Sequence, residues 1–558
     1  MDYLKLAEVY DRLEKTTKRL EKTDIIAEFI KKVSAHELSY IIYLLEGLVF
    51  PPWDERKLGL SSQLSIKIIA ASTGINNEKI VKKWKQTGDL GLVTEEFIKE
   101  KKQRTLHQER LTVEKVFNNL QKIAGLEGEG TVSKKISLVS ELLSSASPLE
   151  AKYIIRTCIG DLRVGVAEGI LRDAIAKAFD VNPVKVEKAA DLLADYAEVI
   201  KLVKEKSLED IKLKAGRPIK AMLSIRVESI KEGFDAVGKP AQLENKLDGF
   251  RVMIHNNGKK IKLFTRNLEN VTKQFKELIP LVKSHVKAKS FIIDTEFVGH
   301  DPKTGKYMPF QMISQRIKRK HDIEKTAKEF PVEINVFDII YCDGKSLINE
   351  PLTERRKLLE KIVSEASKKI VLTKKLVTDD EAKANKFYKE AVEKGLEGVM
   401  IKNISSIYQP GRRVSGWVKF KPRLEPLDLV IVGGQYGTGK RANSISSFVL
   451  ACKDKDRFLE CGMMGTGIKE KGEGVTFGYL TNILKKYIIE TKGRNVRIKP
   501  RVVVEVSYEE IQKSPTYNSG YALRFPKFLS IRVEKPVSEI NTLGDLEDIY
   551  RKQRGRSK

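Results

Sequence analysis

Apolar residues in the first part of the chain recur at three- and four-residue spacing. One run is Ile25, Ile26, Phe29, Ile30 and Val33; the next is Leu38, Ile41, Ile42 and Leu45. That period lines one face of a helix. Breaks near Pro51-Pro52, between Gly125 and Gly130, and at Pro148 divide the region into several helices. The pattern predicts an all-α domain over residues 1–213. From Glu244 the period falls to two. Residues 250–255 predict a strand, Asn257-Gly258 a type I′ turn, and 260–265 the return strand. Further strands are predicted at 291–298, 333–341, 398–402 and 417–421, with helices near 268–288, 353–366 and 379–394. This is an α+β domain over 214–424. Pro422 and Pro426 bracket a connector. Short strands at 427–432, 447–452, 457–461, 501–507 and 529–533, joined by Gly-rich turns, predict a small β-barrel over 425–558. A helix near 538–550 and a mobile basic tail from Arg551 to Lys558 end the chain. The expected fold is thus multidomain: all-α, then α+β, then β-barrel. No internal repeat is evident.

Composition narrows the function. The chain of 558 residues has 103 Lys and Arg against 75 Asp and Glu, a formal charge of +28. Such an excess favours a polyanionic partner, nucleic acid above all, over a merely Lys-rich thermophilic surface. Cys158, Cys342, Cys452 and Cys461 are dispersed, without metal-ligand spacing. They argue against zinc and against a disulfide scaffold. The start, Met1-Asp2-Tyr3-Leu4-Lys5, lacks the apolar core of a signal peptide. No apolar run approaches the ~20 residues that span a bilayer. The expectation is a soluble, cytoplasmic protein with no membrane partner.

The strongest chemical signal is Glu244-Asn245-Lys246-Leu247-Asp248-Gly249-Phe250-Arg251. Lys246 stands next to a predicted strand among apolar residues, where an amine must be paired or functional. A free lysine is protonated at neutral pH, with a reference pKa of ~10.4. Desolvation and nearby cations expose its lone pair, and Arg251, Lys419 and Lys421 are the candidate cations. Thr265-Arg266-Asn267, Asp294-Thr295-Glu296, Val336-Phe337-Asp338, Glu397-Gly398-Val399-Met400-Ile401-Lys402 and Trp417-Val418-Lys419-Phe420-Lys421 follow in order. Alternation puts Lys419 and Lys421 on one face of a strand, within reach of one phosphate. Phe337 taken alone reads equally well as ordinary core.

This series resembles the motifs of the covalent nucleotidyltransferases, the superfamily of DNA ligases, RNA ligases and capping enzymes. The resemblance implies that Lys246 attacks the α-phosphate of a nucleotide and forms a phosphoramidate. It implies nucleotide contacts by Glu244, Arg251, Glu296, Phe337 (stacked on adenine), Arg413, Lys419 and Lys421. Arg266 would contact the ribose or the 3′ DNA side. Glu296 and Glu397 would hold Mg²⁺, with Mn²⁺ able to substitute; a hard cation takes few carboxylates plus phosphate oxygens.

Leu523-Arg524-Phe525-Pro526-Lys527-Phe528 resembles the last motif of ATP-dependent DNA ligases. It implies an OB-fold in which Arg524 and Lys527 orient the triphosphate. The family usually continues with Asp before Lys; here Glu534 precedes Lys535. Residues 158–165, which contain Arg163, and Arg217-Pro218-Ile219-Lys220-Ala221-Met222-Leu223 resemble the DNA-binding domain of archaeal and eukaryotic replicative ligases. The resemblance therefore covers nearly the whole chain in the order DNA-binding, adenylation, OB. It implies an archaeal ATP-dependent DNA ligase, a monomer that seals nicked duplex DNA through lysyl-AMP and DNA-adenylate in replication, repair and recombination. Salt-sensitive phosphate contacts should supply most of the affinity. Lys102-Gln103-Arg104-Thr105-Leu106-His107 lies where archaeal ligases carry a sliding-clamp (PCNA) motif. Leu106-His107 replaces its aromatics, and a solvated charged loop is the equal alternative. Gly437-Thr438-Gly439-Lys440 lacks full P-loop spacing and reads as a turn. Three rivals stay open at this point: an RNA ligase or capping-type enzyme, a DNA-binding scaffold with a degenerate nucleotide site, and use of NAD⁺ or ADP.

Overall fold

The computed structural model describes residues 1–100, 110–126, 128–308, 310–318, 323–422, 424–437, 441 and 443–553. Gln103 and Leu106 of the clamp-like segment, Thr438 to Lys440, and the end of the basic tail lie outside them. The chain forms two compact units. One comprises Met1–Ile225, Asp248–Lys374 and Lys402–Trp417; the other comprises Arg226–Leu247, Lys375–Ile401 and Val418–Lys558.

Among the described residues the first unit opens with twelve α-helices, from Tyr3–Lys15 to Tyr196–Lys204. Their apolar stripes meet in one core that includes Tyr10, Ile26, Ile42, Phe117, Leu142, Ile154 and Ile175. The breaks fall where cap chemistry sets them. Pro148 is the first residue of the helix Pro148–Ile159, and Ser147 with Glu150 forms a capping box before it. Inside this block Arg156 is 1% exposed. Its guanidinium reaches Glu14 at 2.8 Å and Asp89 at 2.6 Å. Burial alone would raise the pKa of Glu14, but Arg156, Lys152 and Tyr153 outweigh it and pull the carboxyl down to about 2.

The rest of this unit is built on a six-stranded sheet. Ile261–Thr265, Phe250–Asn256, Phe291–Gly299, Val332–Cys342 and Lys345–Ser346 pair in that order, and Ile370–Leu372 adds in parallel to Val332–Cys342. Phe250, Val252, Ile254, Ile293, Phe297, Ile334 and Val336 fill one face. Two expectations are corrected here. The hairpin turn is not type I′, which needs left-handed geometry at both central residues. Only Gly258 has it, at φ +84°, and the Asn257 carboxamide accepts from the amides of Lys259 and Lys260. Glycine first in the turn is the type II′ pattern. The helix expected near 268–288 is confined to Leu278–His285. Leu268 sits at φ +67°, and Val271 N–H donates to Leu263 O, so the chain folds back on the strand before any helix begins.

A second sheet, of five strands, runs in the order Leu223–Val227, Arg413–Phe420, Gly398–Asn403, Ala241–Lys246, Lys375–Thr378. The C-terminal region is β-rich but, among the described residues, not a closed barrel. Its long strand Leu427–Tyr436 pairs along one edge with Ile445–Asp454. On the other edge it meets two partners, Asn495–Ile498 and Val503–Ser507. Bulges at Ile431/Gly433 and Gln435/Tyr436 bend it, so one strand serves an open seven-stranded sheet. The terminal helix is Leu543–Lys552. All four cysteines are free thiols. Among the described residues no helix is long and apolar enough to cross a membrane.

Candidate functional site

Lys246 ends the strand Ala241–Lys246. Ala241 and Leu243 point into the core at 0% exposure, so alternation gives Gln242, Glu244 and Lys246 to the other face. Lys246 O accepts from Glu397 N–H at 2.9 Å, which brings the start of the Glu397-Gly398 segment alongside the lysine. The approach is close enough to require glycine at 398. Its φ is +131°, and a Cβ there would lie 2.2 Å from Phe420 O.

The side chains then meet. Lys246 Nζ is 2.7 Å from Glu397 Oε2, and Lys421 Nζ is 2.9 Å from the same oxygen. Lys421 also faces Glu509 at 3.6 Å. Glu397 keeps only 9% of its side-chain surface. Burial alone would raise its pKa, but the two ammonium groups outweigh that and hold it far below the usual carboxylate range. Lys419 feels the reverse balance: burial, then the charges of Lys421 and Lys246, push its ammonium below the ordinary lysine value. Three lysines around one buried carboxylate leave an excess of positive charge that suits an anionic phosphate.

A separate cluster lies within the other unit. Arg251 forks onto Asp294, Nε to Oδ1 at 2.9 Å and Nη2 to Oδ2 at 2.5 Å, and donates to Met222 O at 2.6 Å. Tyr408 donates to Asp294 Oδ2 at 2.8 Å. Asp294 is fully buried and holds the guanidinium charged despite burial. Arg251 is therefore a clamped cation rather than one free to act on Lys246. Above it sit the half-buried Phe337 and the buried Trp417, ring centroids 6.2 Å apart and edge-on. Lys402 Nζ lies 4.9 Å from the Phe337 centroid and 4.1 Å from that of Trp417. Arg251 itself lies 5.4 Å from the Phe337 centroid. An aromatic ring framed by cations suits an electron-rich planar base. Glu296 is half-buried and faces Arg251 across adjacent strands. Gly249 fits there because a Cβ would lie 2.2 Å from Phe297 O.

The remaining candidates are dispersed. Arg266 and Arg413 are exposed. Arg524 pairs with Glu510 at 3.3 Å, and Lys527 is exposed. Glu534, in place of the usual Asp, pairs with Arg532 at 2.6 Å. Arg163 is occupied by Asp161 at 2.7 Å, Asp89 at 3.3 Å and Gly88 O at 3.0 Å. Among the described residues no cluster of three or more His, Cys, Asp or Glu could hold a metal ion alone. A magnesium ion needs few protein carboxylates, because phosphate oxygens and water complete its shell. Sequence reasoning did not find Gln242, Tyr408 or the pairing of Arg251 with Asp294. The alternation of Gln242 with Glu244 and Lys246 was the available signal for the first.

Comparison with known proteins extends the picture to the whole chain. Residues 2–176 match the family description "DNA ligase N terminus", 221–421 "ATP dependent DNA ligase domain", and 441–535 "ATP dependent DNA ligase C terminal region". A DNA ligase of Nanoarchaeum equitans is 47% identical, covering 100% of this chain and 99% of its own length. One from Archaeoglobus fulgidus is 42% identical, covering 99% of each. The solved structure called "Pmar-Lig_PreS3" is 18% identical, with a TM-score of 0.58 over 94% of this chain and 99% of its own. That last likeness concerns the fold alone.

Proposed function

Because the chain belongs to the ATP-dependent DNA ligase family, we propose that it seals 5′-phosphate/3′-hydroxyl nicks in duplex DNA with Lys246 as its nucleophile. The observation that carries the assignment of Lys246 is its place at the half-buried end of a strand, among Lys419, Lys421 and Glu397.

Lys246 gives up its ammonium proton to water and the amine attacks the α-phosphorus of ATP; an N–P bond forms, the bond from that phosphorus to the β-phosphate oxygen breaks, pyrophosphate leaves, and a second N–H proton passes to water. The 5′-phosphate at the nick then attacks the same phosphorus, breaking the N–P bond and giving a DNA-adenylate. The 3′-hydroxyl attacks the 5′-phosphorus, a phosphodiester forms, and AMP departs. Lys419 and Lys421 offset the charge that gathers on the phosphate in flight. Incoming phosphate oxygens compete with Glu397 for Lys421, which loosens the ion cluster that also holds Lys246. Glu296 and Glu397 are the candidate carboxylates that would hold Mg²⁺, which would supply further neutralisation of the phosphates. Phe337 stacks on adenine; Arg251, Glu296, Arg266 and Arg413 take the rest of the nucleotide, and Arg524 and Lys527 the departing triphosphate end.

We assign residues 1–213 to DNA binding, 214–424 to adenylation and 425–558 to an OB-fold. The chain acts as a cytoplasmic monomer in this reading, and the sequence around Gln103 and Leu106 makes a sliding clamp a candidate partner. The helical block and the last motif, with Glu534 in place of its usual Asp, favour DNA over RNA as substrate. The deciding experiment is incubation with α-labelled ATP and Mg²⁺, a denaturing gel, and a chase with nicked duplex DNA. Label should appear on the protein, vanish as the nick closes, and never appear on Lys246→Ala. Label that persists on Lys246→Ala defeats the assignment. Label that discharges only onto nicked RNA moves the substrate.

A further inference from the structure

Gln242, Glu244 and Lys246 share one face of a single strand. Exposure falls steeply along it: Lys246 keeps 22% of its side-chain surface, while Glu244 and Gln242 keep 1% each. A ligand bonded to Lys246 therefore meets a progressively drier strip as it extends toward Glu244. Each step of two residues along a strand covers about 6.7 Å. That step is comparable with the ribose that separates an α-phosphate from its base, so Glu244 falls at the level of the base.

A carboxylate only accepts hydrogen bonds. Adenine presents an amino group at its 6-position, whereas guanine presents an oxygen. A buried carboxylate at the base edge thus accepts from adenine and repels guanine, provided that it is correctly turned. Gln242 supplies that condition. Its Nε2 donates to Glu244 Oε1 at 2.6 Å inside the protein. The amide holds the carboxylate by a hydrogen bond and adds no charge of its own. A lysine or arginine in its place would pair with the carboxylate and blunt its selectivity.

We propose that Gln242 is a positioning residue for nucleotide selection: its amide holds the Glu244 carboxylate turned to receive the 6-amino group of the adenine attached through Lys246. The inference rests on the reading of Lys246 as the adenylated lysine. It goes beyond that reading by naming the residue that sets base choice without touching the base.

The test uses the full chain and Gln242→Met, which keeps length and removes the donor. Lysyl-nucleotide formation is followed with ATP, with purine riboside 5′-triphosphate, which lacks the 6-amino group, and with GTP. Wild type should favour ATP over the purine analogue. In Gln242→Met the KM for ATP should rise about tenfold, the scale of one lost hydrogen bond to a charged group. The maximum rate and the KM for the purine analogue should hold. Discrimination against GTP should fall in step. An equal change for ATP and the analogue means a merely structural role and overturns the proposal. So does no change for either, or a wild type that fails to distinguish ATP from the analogue, a result that needs no variant to fold. Absence of label from every nucleotide is a different outcome and overturns the Lys246 reading itself.

Discussion

Replacing Glu397 by glutamine removes one negative charge and leaves Lys246 and Lys421 facing each other across a neutral amide. The lysines lie 2.7 and 2.9 Å from one carboxylate oxygen. At an effective dielectric of about 20 each attraction is worth about 6 kcal/mol before desolvation is subtracted. Taking one partner from a buried pair costs about 3–5 kcal/mol. Lys246 and Lys421 keep 22% and 18% of their side-chain surface. Water therefore recovers part of the loss, and the expected cost is about 2–3 kcal/mol at pH 7. The pH dependence is the sharper signature. The Glu397 pKa is depressed in the folded protein, so its contribution is complete above the unfolded value and is lost as pH falls toward the folded one. With an unfolded value of about 4.3, the contribution shrinks by about 1.8 kcal/mol between pH 7 and pH 3. Hydrogen exchange of the amides in 241–247 and 396–403, corrected for intrinsic rates, reads this locally. Wild type and Glu397→Gln should differ clearly at pH 7 and converge toward pH 3. A gap of the same size at both pH values would refute the ion-pair account, and so would no gap at pH 7.

Two further expectations concern the scaffold around these groups. Asp294→Ala strands the buried Arg251 guanidinium and should cost about 3–5 kcal/mol in urea unfolding, while the double change Arg251→Met with Asp294→Leu should recover most of it. A double variant no more stable than the single one would show that the pair itself, and not the orphaned charge, carries the stability. Gly398→Ala places a methyl 2.2 Å from Phe420 O at a φ of +131°, which should destabilise by about 2–5 kcal/mol and slow loading of Lys246 by pushing Glu397 away from it. A melting temperature and an adenylation rate like wild type would mean that the two strands part easily.

The elements most legible in the sequence are those whose polar side faces water. The helices of residues 1–204 follow their apolar periods because packing on one face is a local property of the chain. The strand Ala241–Lys246 breaks that rule. It alternates fully, Ala241 and Leu243 against Gln242, Glu244 and Lys246, yet its polar members are buried or half-buried. Period-two reading therefore begins only at Glu244 and puts Lys246 ahead of a strand instead of at the end of one. Polar residues that point inward are a local conflict that burial alone does not reward, and such conflicts concentrate where chemistry is done. The motif spacing identifies Lys246, Glu397 and Lys421 as residue types suited to phosphate chemistry, but their meeting at one oxygen depends on strands far apart in sequence. The same limit governs Arg251. Its sequence proximity to Lys246 suggests a cation acting on the amine, whereas the register that sets Arg251 opposite Glu296, with Asp294 two residues earlier on that strand, commits its guanidinium to a carboxylate. Sequence spacing thus supplies the functional groups, and strand register decides which charges oppose which; the 2.6 Å bond from Gln242 to Glu244 belongs to neither the motif nor the apolar period.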